Sequence, residues 1–137
     1  MQAEVAGYRE IEHTADWELY VWAPDFLALL ETAAQGMYAL AHTTLMDAPR
    51  TSRSFELPLT DRESLLVDFL AELLFFNENE NLAFDQFRLD FSGNGLKARV
   101  SGAYIRGQAK EIKAVTYHRL QIRETERGLE VNIVFDV

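Results

Sequence analysis

The tripeptide GNG at residues 93–95 separates two runs in which apolar and polar residues alternate. The first run spans residues 84–91, and the second continues through residues 96–100. Alternation with a period of two is typical of strands that bury one face. Gly and Asn tolerate the positive φ angles that tight hairpin turns require. This part of the chain therefore predicts an antiparallel hairpin.

Further patterns extend this prediction to about seven strands and two helices. The other expected strands span residues 7–13, 17–22, 53–59, 117–123 and 129–137, and the last two form a hairpin about residues 126–128. Regular alternation of strands and helices stops after the second helix, which argues against a doubly wound sheet. We predict an α+β fold, a mostly antiparallel β-sheet with two helices packed on one face, in a single domain of residues 1–137.

The helices are predicted from capping residues and from apolar residues at helical spacing. Pro24-Asp25 opens the first helix, with Asp25 as its N-cap or as an acid of its first turn. Thr60 and Glu63 have the spacing of a capping box before the second helix. The apolar faces comprise Phe26, Leu29, Leu30, Ala33, Met37, Leu40 and Ala41 in the first helix, and Leu66, Phe69, Leu70, Leu73 and Leu74 in the second. Gly36 interrupts the first helix, and close packing against a strand is the expected reason.

Composition narrows the functional classes. The chain carries a net charge of −9, which disfavours strong direct binding to nucleic acid and favours a basic protein partner or a cation. It has no cysteine, so disulfides, thiolate metal sites and cysteine nucleophiles are excluded. We see neither a membrane-spanning run nor a secretory signal, and we expect a cytoplasmic protein.

Two acidic positions point to a metal site. Asp16 precedes a predicted strand, whereas Asp136 and the carboxylate of Val137 follow the last one. If these strands are antiparallel neighbours, the three anions converge. Such a set of oxygen ligands suits a hard divalent metal ion, Ca²⁺, Mg²⁺ or Mn²⁺, rather than zinc. The alternative is that Asp16 caps a turn and Asp136 is solvated.

Residues of the stretch KEIKAVTYH, at positions 110–118, are candidate contacts for a partner or a nucleotide. Lys113 has the charge to bind a phosphate or a carboxylate, although an edge lysine also protects a strand edge. His118 and His13 are weaker candidates, and their spacing does not indicate zinc. The stretch NENEN at positions 77–81 lacks the ligands of an EF-hand and is expected to end a helix. We identify no catalytic nucleophile with an adjacent base.

Three separated blocks resemble the archease family: EHTAD at residues 12–16, EIKAVTYH at residues 111–118 and FDV at residues 135–137. The resemblance implies a cytosolic accessory protein of an RtcB-type RNA ligase, active in tRNA splicing, tRNA processing and RNA repair. That ligase joins 2′,3′-cyclic or 3′-phosphate ends to 5′-hydroxyl ends with GTP and Mn²⁺. The accessory protein promotes guanylylation and multiple turnover of the ligase and is not itself an enzyme.

The resemblance also implies that Asp16, Asp136 and Val137 bind the metal and that Lys113 has a supporting role. Glu12 departs from the aspartate found in many relatives and is left out of the ligand set. Two alternatives remain open. One is a stand-alone metal-dependent phosphoesterase or nucleotide-binding enzyme that uses the same acids. The other is a chaperone-like modulator of a tRNA-modifying enzyme.

Overall fold

The computed structural model describes residues 5–12 and 17–137, and these contain eight strands and two helices. In chain order they are β1 Gly7–Ile11, β2 Trp17–Ala23, α1 Phe26–Leu40, β3 Thr44–Pro58, α2 Arg62–Glu80, β4 Leu82–Ser92, β5 Gly95–Gly107, β6 Ala114–Val115, β7 Arg123–Thr125 and β8 Gly128–Asp136. Every strand pair is antiparallel. The predicted α+β class is confirmed.

The strands form two sheets. The first sheet has the order β1-β2-β8-β6, with β7 also paired to β8, and the second has the order β3-β5-β4. The expected hairpin about residues 93–95 joins β4 to β5, and Gly93 has a φ of 61° there. The second expected hairpin joins β7 to β8. Both turns are therefore as the sequence predicted.

Helix α1 begins where its capping chemistry predicts. The Asp25 side chain accepts a hydrogen bond from the Ala28 amide at 2.8 Å, which satisfies one of the free N–H groups of the first turn. All seven residues of the predicted apolar face are buried. Gly36 faces β1 and β2, since a Cβ atom there would lie 2.6 Å from Leu19 Cδ2 and 2.9 Å from Tyr8 Cγ. Close packing against a strand, the expected reason for this glycine, is confirmed.

Helix α2 begins differently from the prediction. Asp61, rather than Thr60, is the N-cap, and its side chain accepts a hydrogen bond from the Ser64 amide at 2.8 Å. Glu63 accepts a hydrogen bond from the Ile122 amide at 2.9 Å. The capping box predicted for Thr60 and Glu63 is therefore wrong, because Asp61 caps the helix and Glu63 holds a distant loop.

Two strands also differ from their predictions. Strand β3 begins at Thr44 instead of residue 53, because it follows β5 as far as Gly107, the last residue of that strand. Residues 117–123 do not form one strand, and only Arg123 belongs to β7. In this segment the Ile122 amide donates its hydrogen bond to the Glu63 side chain of α2, whereas the sequence pattern predicts a bond to a neighbouring strand.

The buried side chains form one hydrophobic core. Both helices contact both sheets: α1 packs on β1, β2, β8 and β4, and α2 packs on β3, β4 and β6. The buried face of β8, with Leu129, Val131, Ile133 and Phe135, belongs to this core. The C-terminal end of β8 is therefore anchored up to the residue before Asp136. No helix within the two described ranges is both long and apolar enough to cross a lipid bilayer.

Candidate functional site at the end of strand β8

The start of β2 and the end of β8 lie side by side. Trp17, the first residue of β2, pairs with Phe135 in the antiparallel register of these strands. Phe135 is fully buried, whereas Asp136 is exposed and Val137 is half-buried. The chain thus leaves the core at Phe135 and presents Asp136 and Val137 at one edge of the first sheet. This is the strand arrangement on which the predicted metal site depends.

Lys113 lies on the other side of the same strand end. Its amide donates a hydrogen bond to the Asp136 carbonyl oxygen at 2.8 Å, and Ala114 pairs with Asp136 in the ladder between β6 and β8. The Lys113 side chain is exposed and forms no ion pair with any residue in the described ranges. The structure therefore brings Lys113 and Asp136 together through the backbone and leaves the ammonium group accessible to a partner.

His118 lies in the segment that follows β6. Thr116 anchors this segment, because its amide and its hydroxyl both donate to the Val134 carbonyl oxygen, at 3.0 Å and 2.9 Å. The Thr116 hydroxyl also accepts a hydrogen bond from the His118 amide at 3.3 Å. The imidazole is exposed, as is the neighbouring Tyr117, and both are available for contact with another molecule.

Two of the predicted site residues, His13 and Asp16, lie outside the described residues. Their participation in the site stays a prediction. Within the described ranges, no group of three or more His, Cys, Asp or Glu side chains is arranged to hold a metal ion. Asp136 supplies a carboxylate at this strand end, a type of ligand that suits a hard cation. The predicted site also needs the Val137 carboxylate and Asp16, which immediately precedes β2 in the sequence.

A cleft beside Lys113 contains residues that the sequence analysis did not select. It has a volume of about 310 Å³ and is lined by Leu74, Asn77, Glu78, Gln108, Glu111, Ile112 and Lys113. Asn77 donates a hydrogen bond to Gln108 Oε1 at 3.4 Å, and Gln108 donates to the Lys110 carbonyl oxygen at 2.9 Å. These bonds connect the end of α2 to the loop before β6. In the sequence, the polar stretch at residues 77–81 was the available signal for this cleft, but it predicted only the end of a helix.

Lys110 also approaches the start of β2. Its Nζ atom lies 5.6 Å from the centre of the Trp17 ring, a distance that allows a cation–π interaction. The loop that carries Lys110 is tied to the end of α1, because the amides of Ala109 and Lys110 both donate to the Ala41 carbonyl oxygen, at 2.9 Å and 3.3 Å. Two lysines, Lys110 and Lys113, therefore lie near the edge where Asp136 emerges.

Side chains on the outer face of the first sheet connect β2 to β8. The Tyr20 hydroxyl and the Thr125 hydroxyl each donate a hydrogen bond to the Glu130 carboxylate. The hydrogen bond from Thr125 is the largest cause that lowers the pKa of Glu130, and the hydrogen bond from Tyr20 is the second. Asn132 donates to Glu18 Oε2 at 2.8 Å. This network fixes the alignment of the two strands that carry the candidate site.

Known proteins resemble this chain over nearly its whole length. The model of the archease protein family (MTH1598/TM1083) matches residues 8–137. A protein archease from Methanosarcina acetivorans is 32% identical over 146 aligned residues, which cover 100% of both chains. A protein archease from Danio rerio is 30% identical, over 95% of this chain and 85% of its own.

The fold is also similar to the solution structure of protein 1598 from Methanobacterium thermoautotrophicum. The TM-score is 0.70 at 24% identity, and the match covers 96% of this chain and 99% of the other. The protein is thus an α+β protein with the architecture of that structure. By its sequence it belongs to the archease family.

Proposed function

We propose that this protein acts in the cytoplasm as an accessory protein that activates an RtcB-type 3′-phosphate RNA ligase. It promotes guanylylation and multiple turnover of the ligase and has no catalytic reaction of its own. Membership in the archease family supports a role of this kind. The observation that carries the proposal is the exposed edge where β2 begins and β8 ends, which has Asp136, Val137 and Lys113 at one place.

The protein partner follows from charge. A chain with a net charge of −9 repels a polynucleotide backbone and attracts a basic protein surface. The RNA ligase must present basic residues to its own RNA substrate, and these suit an acidic accessory protein. Lys113 and Lys110 are local exceptions at the edge, and they are available for a carboxylate or a phosphate at the ligase.

We further propose that Asp16, Asp136 and Val137 hold one divalent metal ion, Ca²⁺, Mg²⁺ or Mn²⁺. Their oxygen atoms are the ligands that hard cations prefer. The pairing of Trp17 with Phe135 supports the proximity that the site needs. When bound, the cation would neutralise the cluster and supply positive charge for phosphate groups. The protein's own residues supply the anionic cradle, and the adjacent lysines supply charge for docking.

A ligation assay with limiting ligase tests the proposed role. The substrates are RNA ends with a 2′,3′-cyclic phosphate and a 5′-hydroxyl, with GTP and Mn²⁺ present. We expect the yield from one turnover to be unchanged by this protein and the yield from many turnovers to rise well above one product per ligase. Equal multiple-turnover yields with and without the protein would contradict the proposal.

The same reagents without ligase test the alternative of a stand-alone phosphoesterase. We expect neither hydrolysis of GTP nor opening of the cyclic phosphate. Product formation in that reaction, at a rate that survives repeated purification and disappears in the variant Asp136→Asn, would favour an enzyme.

Calorimetric titration with Ca²⁺, Mg²⁺ and Mn²⁺ tests the metal proposal independently of ligation. We expect Asp136→Asn to weaken binding at least about tenfold, because the change removes one ligand charge and preserves side-chain size. An extension of two glycines after Val137 should have a similar effect, since it moves the terminal carboxylate. Unchanged affinity in both variants would show that the metal binds elsewhere.

A further inference from the structure

The outer face of the second sheet carries two arginines side by side. Ser54 of β3, Arg99 of β5 and Arg88 of β4 occupy one row across the three strands, because Ser54 pairs with Arg99 and Arg99 pairs with Arg88. All three residues are exposed, whereas their neighbours Ala98 and Val100 are buried. We call these three residues the arginine row. Directly opposed side chains of antiparallel strands have Cβ atoms only about 5 Å apart.

Neither guanidinium group is neutralised within the part of the chain that the structure describes. The ion pairs made by arginines of this sheet use other residues: Arg50 with Asp85 at 2.6 Å, Arg53 with Glu80 at 2.6 Å and Arg106 with Asp47 at 3.5 Å. Arg88 and Arg99 form no ion pair and no side-chain hydrogen bond with a described residue. Like charges directly opposite each other destabilise a sheet. An anion between them would remove that repulsion.

The rows on either side differ in chemistry. One adjacent row is neutral and polar, with Ser52, Ser101 and Gln86 in register, and its side chains offer hydroxyl and amide groups. These residues and the two arginines line a groove of about 350 Å³. The arginine row thus has two positive charges, and the adjacent row places neutral hydrogen-bonding groups beside them.

The other adjacent row is acidic overall. Lys97 lies between Glu56 and Asp90, to which it is paired across both ladders. These three residues and the arginine row line a second groove of about 580 Å³. The row carries two negative charges and one positive charge, so it repels an anion and offers carboxylate oxygens to hydroxyl groups.

We propose that the arginine row binds the phosphate group of a phosphate monoester carried by a hydroxylated molecule, such as a ribonucleotide. A phosphate monoester has a charge of about −1.5 to −2 at neutral pH, which matches two guanidinium groups. Each guanidinium presents a planar fork of donors that fits phosphate oxygens. The Ser54 hydroxyl lies in the same row, and Glu56 and Asp90 can accept hydrogen bonds from ligand hydroxyls.

The neighbouring rows argue against an extended polynucleotide. Alternate residues along a strand are about 7 Å apart, which is the distance from the arginine row to the row of Lys97. A second phosphate at that distance would meet the excess negative charge of Glu56 and Asp90. The overall charge of −9 acts in the same direction. The site suits one phosphate group with hydroxyls beside it.

This inference does not depend on the proposed ligase role. The arginine row belongs to the second sheet, whereas Asp136, Val137 and Lys113 lie at the edge of the first. The two sites can be changed separately, and loss of phosphate binding leaves the ligation test unaffected.

The test is a calorimetric titration of the protein with each of three ligands: adenosine 5′-monophosphate, inorganic phosphate and adenosine. We expect the nucleotide to bind more tightly than phosphate, and adenosine not to bind. Arg88→Gln and Arg99→Gln should each weaken nucleotide binding at least about tenfold, because each removes charge-assisted hydrogen bonds. Arg99→Lys should restore part of the affinity, since it keeps the charge without the fork.

Arg106→Gln is the matched control. Arg106 is also an exposed arginine, but it lies 3.5 Å from Asp47 in an ion pair outside the row. Its substitution should leave binding unchanged. The proposal is overturned if all three Arg→Gln variants bind the nucleotide like the wild type. It is also overturned if single-stranded RNA binds with an affinity that rises with length and depends on the same two arginines.

A thermal measurement separates binding from misfolding. At equal ionic strength, phosphate should raise the Tm of the wild type and of Arg106→Gln above its value in chloride. Part of this increase is a general effect of phosphate on folded proteins, and it should remain in every variant. The additional increase in Tm that comes from phosphate bound at the arginine row should be absent from Arg88→Gln and Arg99→Gln. Equal increases in all four proteins would contradict the assigned site.

Discussion

Gly102 sets the close approach of β4 and β5, and its replacement by alanine is a sharp test of the second sheet. Gly102 pairs with Phe84 beside an irregularity of the ladder, where Asp85 is an additional residue on β4. A Cβ atom at Gly102 would overlap the Ala83 carbonyl oxygen and lie 2.6 Å from the Phe84 Cα atom. Both are backbone atoms, so no side-chain rotation relieves the overlap. The strands must separate.

The magnitude follows from three contributions. Overpacking in a closely packed interior costs about 1–3 kcal/mol. Each ladder hydrogen bond weakened by the separation costs about 0.5–1.5 kcal/mol. Alanine returns about 0.5–1 kcal/mol, because glycine loses more backbone entropy on folding. With two ladder hydrogen bonds weakened, the central values give about 3 kcal/mol, and we expect Gly102→Ala to lower the free energy of unfolding by about 2–4 kcal/mol.

Gly107→Ala on the same strand is the matched control. A Cβ atom at Gly107 would meet only Thr44 Oγ1, at 3.5 Å, which is an ordinary contact. This variant should be as stable as the wild type or up to about 1 kcal/mol more stable. Urea unfolding, followed by circular dichroism and tryptophan fluorescence, measures both. Equal stability of the two variants would show that β4 and β5 do not approach as closely as described.

Three further predictions concern local interactions. Asp61→Ala should lower the free energy of unfolding by about 1 kcal/mol in urea, because it removes the N-cap of α2. Gly36→Ala should cost about 1 kcal/mol, since overpacking against buried side chains exceeds the gain in helix propensity, and the same assay measures it. Hydrogen bonds from Thr125 and Tyr20 lower the pKa of Glu130 in the folded protein. The ionised carboxylate therefore stabilises the fold at pH values above its unfolded pKa of about 4.3, and this stabilisation is lost as the pH falls through the lower pKa of the folded state. Glu130→Gln should thus be less stable than the wild type at pH 7, and the difference should shrink towards pH 3; a constant difference would contradict this assignment.

Features encoded by neighbouring residues were predictable. Asp25 caps α1 as expected, because the capping bond joins residues three positions apart. The turn at residues 93–95 likewise depends on the conformational freedom of its own residues. The apolar faces of both helices were correct, since their spacing alone determines which side chains share a face.

Features that depend on distant residues were not predictable. The alternation in residues 117–123 suggested a strand, but the Ile122 amide bonds to the Glu63 side chain of α2. Asp61 and Thr60 are both good capping residues by type, and the structure has Asp61 as the N-cap. The division into two sheets depends on pairing partners, which alternation does not specify.

The candidate site shows the same division. Asp136 and Lys113 were visible in the sequence as residues next to strands. Their common location follows from the pairing of β8 with β6, and the pairing of β8 with β2 places the start of β2 on the other side. The cleft beside Lys113 was missed, because it forms where the end of α2 meets Gln108, a contact between residues far apart in the chain.

The most direct test of the proposed role is the number of ligation products per ligase molecule in the presence of Asp136→Ala. Asp47→Ala is the control, since Asp47 is 99% exposed and lies on β3 in the second sheet. Both variants should unfold at the same urea concentration as the wild type. We predict that Asp47→Ala supports many products per ligase and that Asp136→Ala supports about one. Stimulation by folded Asp136→Ala equal to that by the wild type would contradict the proposal that the end of β8 activates the ligase.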